Sequence, residues 1–165
     1  MTCAELFGIS SRLERKVALR LVLAAPGGAE AVNQQGRSGA TPLGQAALGG
    51  YTAEARLLLE HGADPHLCMH NGVSPLIYAA QAPGDAGLGA AALLLDAKAG
   101  IDHPQEGGQT ALMFACQCSN VEVAELLLER GANQKLQIPG CGDAKVITKR
   151  MAVRKEELLA LLARY

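Results

Sequence analysis

One sequence pattern appears three times along this chain of 165 residues. The stretch GATPLGQAA at 39–47 is followed by GVSPLIYAA at 72–80 and by GQTALMFAC at 108–116. Each copy precedes a leucine triplet, at 57–59, 93–95 and 126–128. A period near 33 residues is typical of proteins that stack one supersecondary unit, because a single unit cannot bury its own apolar face.

Each unit has the signals of two short helices. A hydroxyl residue that can accept a hydrogen bond from an unpaired backbone N–H precedes the first helix. In the three copies this residue is Thr41, Ser74 or Thr110. Pro42 and Pro75 follow at the first helical position, where the missing N–H costs nothing. Gly62 and Gly131 come after the second helix and suit a left-handed helix end.

The motif G-x-T-P-L-x-x-A-A, followed by LLLE-x-G-A-D, resembles the ankyrin repeat. The resemblance implies one all-α domain over residues 1–165, an ankyrin-type helix-pair solenoid with short β-hairpin-like loops. The clear units are 36–68, 69–104 and 105–137, and the degenerate caps are about 1–35 and 138–165. Terminal units of such arrays must be polar on their outer side. We therefore interpret Lys149 and Arg150, placed where earlier units have an alanine pair, as part of a cap.

The chain departs from the family pattern in two respects. The family usually has histidine three residues after the cap, whereas these positions hold Gly44, Ile77 and Met113. We expect a looser array, partly offset by apolar contacts of Ile77 and Met113. The second unit also has three extra residues within APGDAGLG, between its two helices. In that unit Lys98 takes the place of the terminal glycine, so we expect a left-handed backbone there.

Ankyrin arrays use residues at the hairpin tips and on the exposed side of each first helix to bind other proteins. This resemblance implies a partner-binding set at matching positions of this sequence. The set is Arg37, Ser38, Leu48, His70, Asn71, Val73, Gln81, Glu106, Gln109, Gln117 and Cys118. The same surface would include Ala40, Gly49, Ala82 and Gly107. Any one of these residues could simply be solvent-exposed, so the hypothesis concerns the set.

The stretch HLCMH at 66–70 is the densest group of chemically active side chains. In an extended strand, His66, Cys68 and His70 would share one face, and zinc accepts such ligands. The C-x-x-C pair of many zinc sites is absent, and we favour a polar hairpin without a metal. Asp64 and the two histidines could suggest acid–base catalysis, but nothing in the sequence places a nucleophile and an oxyanion site in position beside them. We predict no enzyme, no metal and no cofactor.

Charge is unevenly distributed along the chain. Residues 38–142 carry ten acidic and four basic groups, whereas 143–165 carry six basic and three acidic groups. The net charge of −1 argues against general attraction to nucleic acid or anionic membranes. The acidic middle could consist of solvated faces, or it could favour a partner of basic character. We expect acidic residues of the second helices, including Glu54, Glu122 and Glu125, to face solvent.

These observations favour a non-catalytic protein–protein interaction module that acts as an adaptor, scaffold or inhibitor. No apolar stretch approaches the ~20 residues of a membrane span, and no signal peptide is recognisable. Five irregularly spaced cysteines are expected to be reduced thiols, which predicts a cytoplasmic location, with the nucleus possible. We expect a monomer unless the chain is part of a complex. The alternative is a structural subunit of a larger complex, or a fragment of a longer multidomain enzyme.

Overall fold

The computed structural model describes residues 19–21, 23–24, 31–37, 39–139, 142–151 and 154–165. These residues form short helices that are joined in pairs by turns, which confirms the all-α repeat architecture. The helices are α1 (Pro42–Leu48), α2 (Thr52–Glu60), α3 (Pro75–Gln81), α4 (Leu88–Asp96), α5 (Ala111–Cys118), α6 (Val121–Glu129), α7 (Ala144–Met151) and α8 (Lys155–Arg164). Most of the first predicted cap lies outside the described residues.

The helices pack in two layers. Helices α1, α3, α5 and α7 stack in that order, and we call them the inner helices. Helices α2, α4, α6 and α8 stack behind them, and we call them the outer helices. The core between the layers is formed mostly by alanine and leucine, which allows thin helices to approach closely. This packing leaves one side of every inner helix uncovered by the outer layer.

The predicted caps form at two of the three clear units. The Thr41 hydroxyl accepts a hydrogen bond from the Gly44 amide at 3.0 Å, and the Ser74 hydroxyl accepts one from Ile77 at 3.3 Å. Thr110 has the same extended backbone but makes no side-chain cap bond. Such caps satisfy amides that the first turn leaves unpaired.

The second unit ends as its sequence predicts. Lys98 follows α4 with a φ of 65°, in the left-handed region where Gly62 and Gly131 have φ values of 87° and 89°. The side chain of Lys98 is exposed, so the strain is confined to its backbone. Replacing Lys98 by glycine would therefore remove no packing contact. The left-handed backbone at this position disfavours a residue that has a Cβ atom.

The positions that lack the family histidine are filled in different ways. Ile77 and Met113 are fully buried, which confirms the expected apolar contacts. At Gly44, a Cβ atom would lie 3.0 Å from the Tyr78 ring of the next unit. Tyr78 therefore occupies space that a side chain at position 44 would need.

The three extra residues of the second unit are accommodated by a 3₁₀ turn, Gly84–Gly87, between α3 and α4. A Cβ atom at Gly87 would lie only 1.9 Å from the Ala79 carbonyl oxygen, so this position requires glycine. The side chain of Asn120, from the next unit, donates hydrogen bonds to the carbonyl oxygens of Ala80 and Ala82. The irregular end of α3 is thus held by a neighbouring unit.

The alignment of the last unit was wrong by one residue. Asp143 caps α7, because its carboxylate accepts a hydrogen bond from the Val146 amide at 3.0 Å. Counting from this cap, Thr148 takes the place of the first alanine of the pair, and it is fully buried. Its hydroxyl donates to the Ala144 carbonyl at 2.8 Å. Lys149 is the second member of the pair, and Arg150 lies one position beyond it.

Candidate protein-interaction surface

The uncovered side of the inner helices presents one residue from each of the four units with a described inner helix, at the position seven residues after the cap. This row consists of Leu48, Gln81, Gln117 and Arg150. The first three side chains are half-buried and Arg150 is exposed. Leu48 packs partly against the core, whereas Gln81, Gln117 and Arg150 are not part of it, so the stacking of the units does not determine these three side chains.

The inner helices differ from the rest of the chain in charge. Helices α1, α3 and α5 contain no charged residue. The acidic groups of this region lie on the outer helices and in the loops, including Glu106 at a hairpin tip. The only charged inner helix described is α7, and its charged residues are basic. The inner-helix face therefore does not support the predicted preference for a basic partner. The count of acidic residues in the sequence does not say which side of the protein carries them.

The hairpin tips of neighbouring units are joined by hydrogen bonds. The Glu106 amide donates to the Asn71 carbonyl at 3.0 Å, and the Gln35 side chain donates to the Cys68 carbonyl at 2.8 Å. Arg37, His70, Asn71 and Glu106 are exposed at these tips. Their side chains therefore border the inner-helix face along one edge.

A chain of glutamine side chains connects one hairpin tip to the inner-helix face. The Gln105 oxygen accepts from the Gly107 amide at 2.9 Å, and the Gln105 nitrogen donates to Gln109 at 3.3 Å. The Gln109 nitrogen then donates to the Gln117 oxygen at 3.2 Å. Each amide uses its oxygen toward the tip, so the chain ends on the side-chain nitrogen of Gln117.

Several predicted members of the binding set have a different position. Val73 is buried, with 8% exposure, and packs into the core, so it is removed from the set. Ala40 and Ala82 are buried as well. Ala40 and Val73 directly precede the buried caps Thr41 and Ser74, and Ala82 directly follows α3, so all three lie next to packed helices. Ser38 lies outside the described residues, whereas Gly49, Gly107 and Cys118 are exposed.

Two residues of this surface were not in the predicted set. Gln105 precedes the tip and belongs to the glutamine chain. Arg150 was interpreted as a replacement for a packed alanine, although it follows Gln117 by one full repeat of 33 residues. That spacing was the available signal, and it was missed because the cap of the last unit is aspartate rather than threonine.

The expectation that Glu54 faces solvent was also wrong. Its side chain is fully buried at the start of α2, whereas Glu122 and Glu125 are half-buried. The sequence pattern of the second helix does not distinguish Glu54 from its neighbours, because the burial depends on packing around this unit. Glu54 therefore cannot serve as a surface control in binding experiments.

The HLCMH stretch does not assemble a zinc site in the part of the chain that the structure describes. Cys68 Sγ lies 3.4 Å from Nε2 of His103 in the next unit. The described residues contain no group of three or more His, Cys, Asp or Glu side chains arranged to hold a metal. His66 and His70 have the H-x3-H spacing seen in zinc sites, but the extended strand expected to align them with Cys68 is absent, since turns occur at both ends.

The described cysteines are free thiols in different surroundings. Burial raises the pKa of Cys116 from 9.0 to about 11, although a hydrogen bond with Thr148 lowers it slightly. Burial also raises the pKa values of Cys68 and Cys118, and the nearby Asp64 charge contributes to the shift at Cys68. Because a thiol reacts as its thiolate, these shifts make all three less reactive at neutral pH.

The structure defines a helical-repeat solenoid with an uncharged face along most of its inner helices. The chain belongs to the ankyrin-repeat family, since a family model described as ankyrin repeats (3 copies) matches residues 10–103 and 86–138. Ankyrin repeats are generally protein–protein interaction modules. Within the described residues, every helix is too short or too polar to cross a bilayer.

Several curated proteins are similar to this chain. It is 32% identical over 130 residues to neurogenic locus notch homolog protein 1 of Cricetulus griseus, an alignment that covers 78% of this chain and 5% of that protein. It is also 32% identical over 130 residues to ankyrin repeat and KH domain-containing protein mask-1 of Caenorhabditis elegans, covering 73% of this chain and 4% of that protein. The chain thus spans a small part of the length of these relatives.

Proposed function

We propose that this chain is a non-catalytic module that binds a protein partner along its inner helices and hairpin tips. The observation that carries the proposal is the uncharged inner-helix face, on which Gln81 and Gln117 are partly exposed although packing does not require them. Amide side chains both donate and accept hydrogen bonds, so they can pair with groups of another protein.

The size and continuity of the surface also favour a macromolecular partner. The tips and inner helices of successive units form one extended strip, whereas a small-molecule site is concave and encloses its ligand. A specific protein interface buries about 800 Å² on each partner. The central residues of such an interface usually contribute most of the binding energy. We therefore expect His70, Asn71, Gln81 and Gln117 to contribute more than Arg37 at the first described tip.

Three finer features belong to the same proposal. Residues 1–165 would act as one ankyrin domain, and the protein would be monomeric apart from its partner. It would work in a reducing compartment, the cytoplasm or nucleus, which fits the free thiols of Cys68, Cys116 and Cys118. Imaging of a fluorescent fusion, together with light scattering on the purified chain, would test the location and the oligomeric state.

An unbiased pull-down with mass spectrometry should identify the partner. Its affinity would then be measured for single alanine variants of the surface, namely His70, Asn71, Gln81, Glu106, Gln109 and Gln117. The matched controls are Glu60→Ala and Glu129→Ala, because both residues are exposed at the ends of outer helices. We expect the surface variants to weaken binding and the controls to leave it unchanged, with unaltered circular dichroism in both groups.

Loss of binding only in the outer-helix variants would place the interface on the opposite layer and reject this proposal. A constant large mass in size-exclusion chromatography of the native extract, unaffected by the surface variants, would instead favour a structural subunit of a larger complex.

A further inference from the structure

We propose that the inner-helix face recognises an acidic side chain of its partner, an aspartate or glutamate within an extended segment, seated between Gln117 and Arg150. This inference rests on the proposed function and specifies the chemistry of the partner at one position. The excess of acidic residues in 38–142 predicts a basic partner, whereas this inference predicts an acidic group on the partner.

Gln117 and Arg150 occupy equivalent positions in adjacent units. Each residue lies seven positions after its helix cap, Thr110 in one unit and Asp143 in the next. The two helices pack directly against each other, and the Cys116 thiol contacts the Thr148 hydroxyl between them. Packed helix axes lie roughly 8–10 Å apart. Two long side chains in the same row can therefore approach one group from both sides.

Gln117 offers a donor at this place. Its oxygen is already used by Gln109, at the end of the glutamine chain that starts from the Gly107 amide. No described residue accepts a hydrogen bond from its nitrogen. Since hydrogen bonds in a chain polarise one another, the last donor is strengthened toward an acceptor.

Arg150 offers the charge. Other arginines in the last units have carboxylate partners within the chain. These pairs are Arg130 with Asp96, Arg154 with Glu122 and Glu157, and Arg164 with Glu125. Arg150 is exposed and forms no ion pair with any described residue. A guanidinium presents parallel N–H donors that match a carboxylate, so a carboxylate is the group that Arg150 recognises best.

The surroundings favour an acid over a base at this position. Helices α5 and α7 carry no acidic residue, and Lys145 and Lys149 are exposed on α7. An incoming carboxylate thus approaches neutral and positive groups, whereas a lysine or arginine of the partner would face Arg150. Helices α1 and α3 are uncharged, so the part of the partner segment that lies along them needs no particular charge.

A phage-displayed library of random peptides, selected on the full chain, supplies the probe. Selected peptides would be synthesised, and their affinities measured by fluorescence anisotropy for the wild type and for Arg150→Gln, Gln117→Leu and Gln81→Ala. Arg56→Gln is the matched control, because Arg56 is an exposed arginine of outer helix α2. Circular dichroism checks that each variant is folded.

We expect an aspartate or glutamate at one position of the selected peptides. Its replacement by the corresponding amide should lower affinity roughly tenfold in the wild type, as expected for a charge-assisted hydrogen bond. The same replacement should have little effect in Arg150→Gln, because the two changes remove one interaction. Gln117→Leu should weaken acidic peptides, and Arg56→Gln should not.

The outcomes separate this inference from the proposed function. Peptides that lose affinity in Gln81→Ala but show no acidic preference, or no response to Arg150→Gln, would reject the acidic site and leave the binding face intact. Enrichment of lysine or arginine would also reject it. If no selected peptide responds to Gln81→Ala or to Arg150→Gln, both the inference and the proposed face are wrong.

Discussion

The side-chain nitrogen of Asn120 lies 2.7 Å from the carbonyl oxygen of Ala80, which belongs to the preceding unit. The same nitrogen lies 2.8 Å from the Ala82 carbonyl, and Asn120 is only 3% exposed. At the irregular end of α3, the helix leaves carbonyl oxygens that need donors. One buried amide therefore connects the unit with the insertion to the unit that follows it.

Asn120→Ala should lower the free energy of unfolding by about 1–3 kcal/mol, because it leaves buried carbonyl groups without their donor. Urea denaturation followed by circular dichroism would measure the change. Asn133→Ala is the control, since Asn133 is exposed and its side chain only accepts a local hydrogen bond from the Lys135 amide. Equal effects of the two substitutions would show that the inter-unit bonds contribute nothing beyond a local turn.

The protein should be more stable with glycine than with alanine at position 98. Both substitutions remove the charge, but only glycine removes the Cβ that disfavours the left-handed backbone by about 1 kcal/mol. The greater freedom of unfolded glycine offsets part of this gain. We therefore expect Lys98→Gly to melt above Lys98→Ala in thermal denaturation. The reverse order would mean that the backbone at 98 changes conformation in the variants.

The buried thiol of Cys116 should make stability depend on alkaline pH. In the unfolded chain the thiol loses its proton near pH 9.0, whereas the folded state keeps it until about pH 11. The unfolded state then binds fewer protons, so stability is retained below pH 9.0 and falls as pH rises through this window. The slope from this group reaches about 1.4 kcal/mol per pH unit.

Cys116→Ala tests this dependence with little disturbance, because Ala47 and Ala80 occupy the equivalent buried positions. As the pH rises from 9.0 to about 11, the free energy of unfolding of the wild type should fall relative to that of the variant. Other alkaline groups contribute equally to both proteins. A constant difference would show that the thiol pKa is the same in both states.

Gly87→Ala should be among the most destabilising single-methyl additions to the chain. The new Cβ would collide with the Ala79 carbonyl oxygen, and backbone cannot move aside as a flexible side chain can. Overpacking of this kind costs about 1–3 kcal/mol or more. Gly36→Ala is the control, because a Cβ there would meet nothing closer than the Ala40 oxygen at 3.7 Å. Comparable melting temperatures for the two variants would contradict this account of the insertion.

Purified protein should contain far less than stoichiometric zinc, and a chelator should leave its helical circular dichroism unchanged. Cys68 and His103 provide two neighbouring ligands, whereas a structural zinc site uses four. Metal analysis by mass spectrometry would measure the content, with His66→Ala and Cys68→Ala as comparison variants. Stoichiometric zinc that disappears in either variant would restore the metal hypothesis for the HLCMH stretch.

The sequence alone determined the local structure of this protein. The repeat period predicted the helix pairs, the hydroxyl residues before Pro42 and Pro75 predicted two caps, and the missing glycine at Lys98 predicted a left-handed backbone. These features depend on hydrogen bonds and backbone angles within a few residues, so neighbouring residue types are enough to predict them.

The tertiary structure decided which side chains are available to a partner. Val73 and Glu54 are buried, Asn120 bonds to a unit about 40 residues earlier, and Gln109 completes a chain toward Gln117. Arg150 joins the same row only because α7 stacks on α5 in the register set by Asp143. Such relationships arise between residues that are separated in sequence, within one unit or in different units. The residue types permit several partners for each of these side chains, and only the packing of the units selects among them.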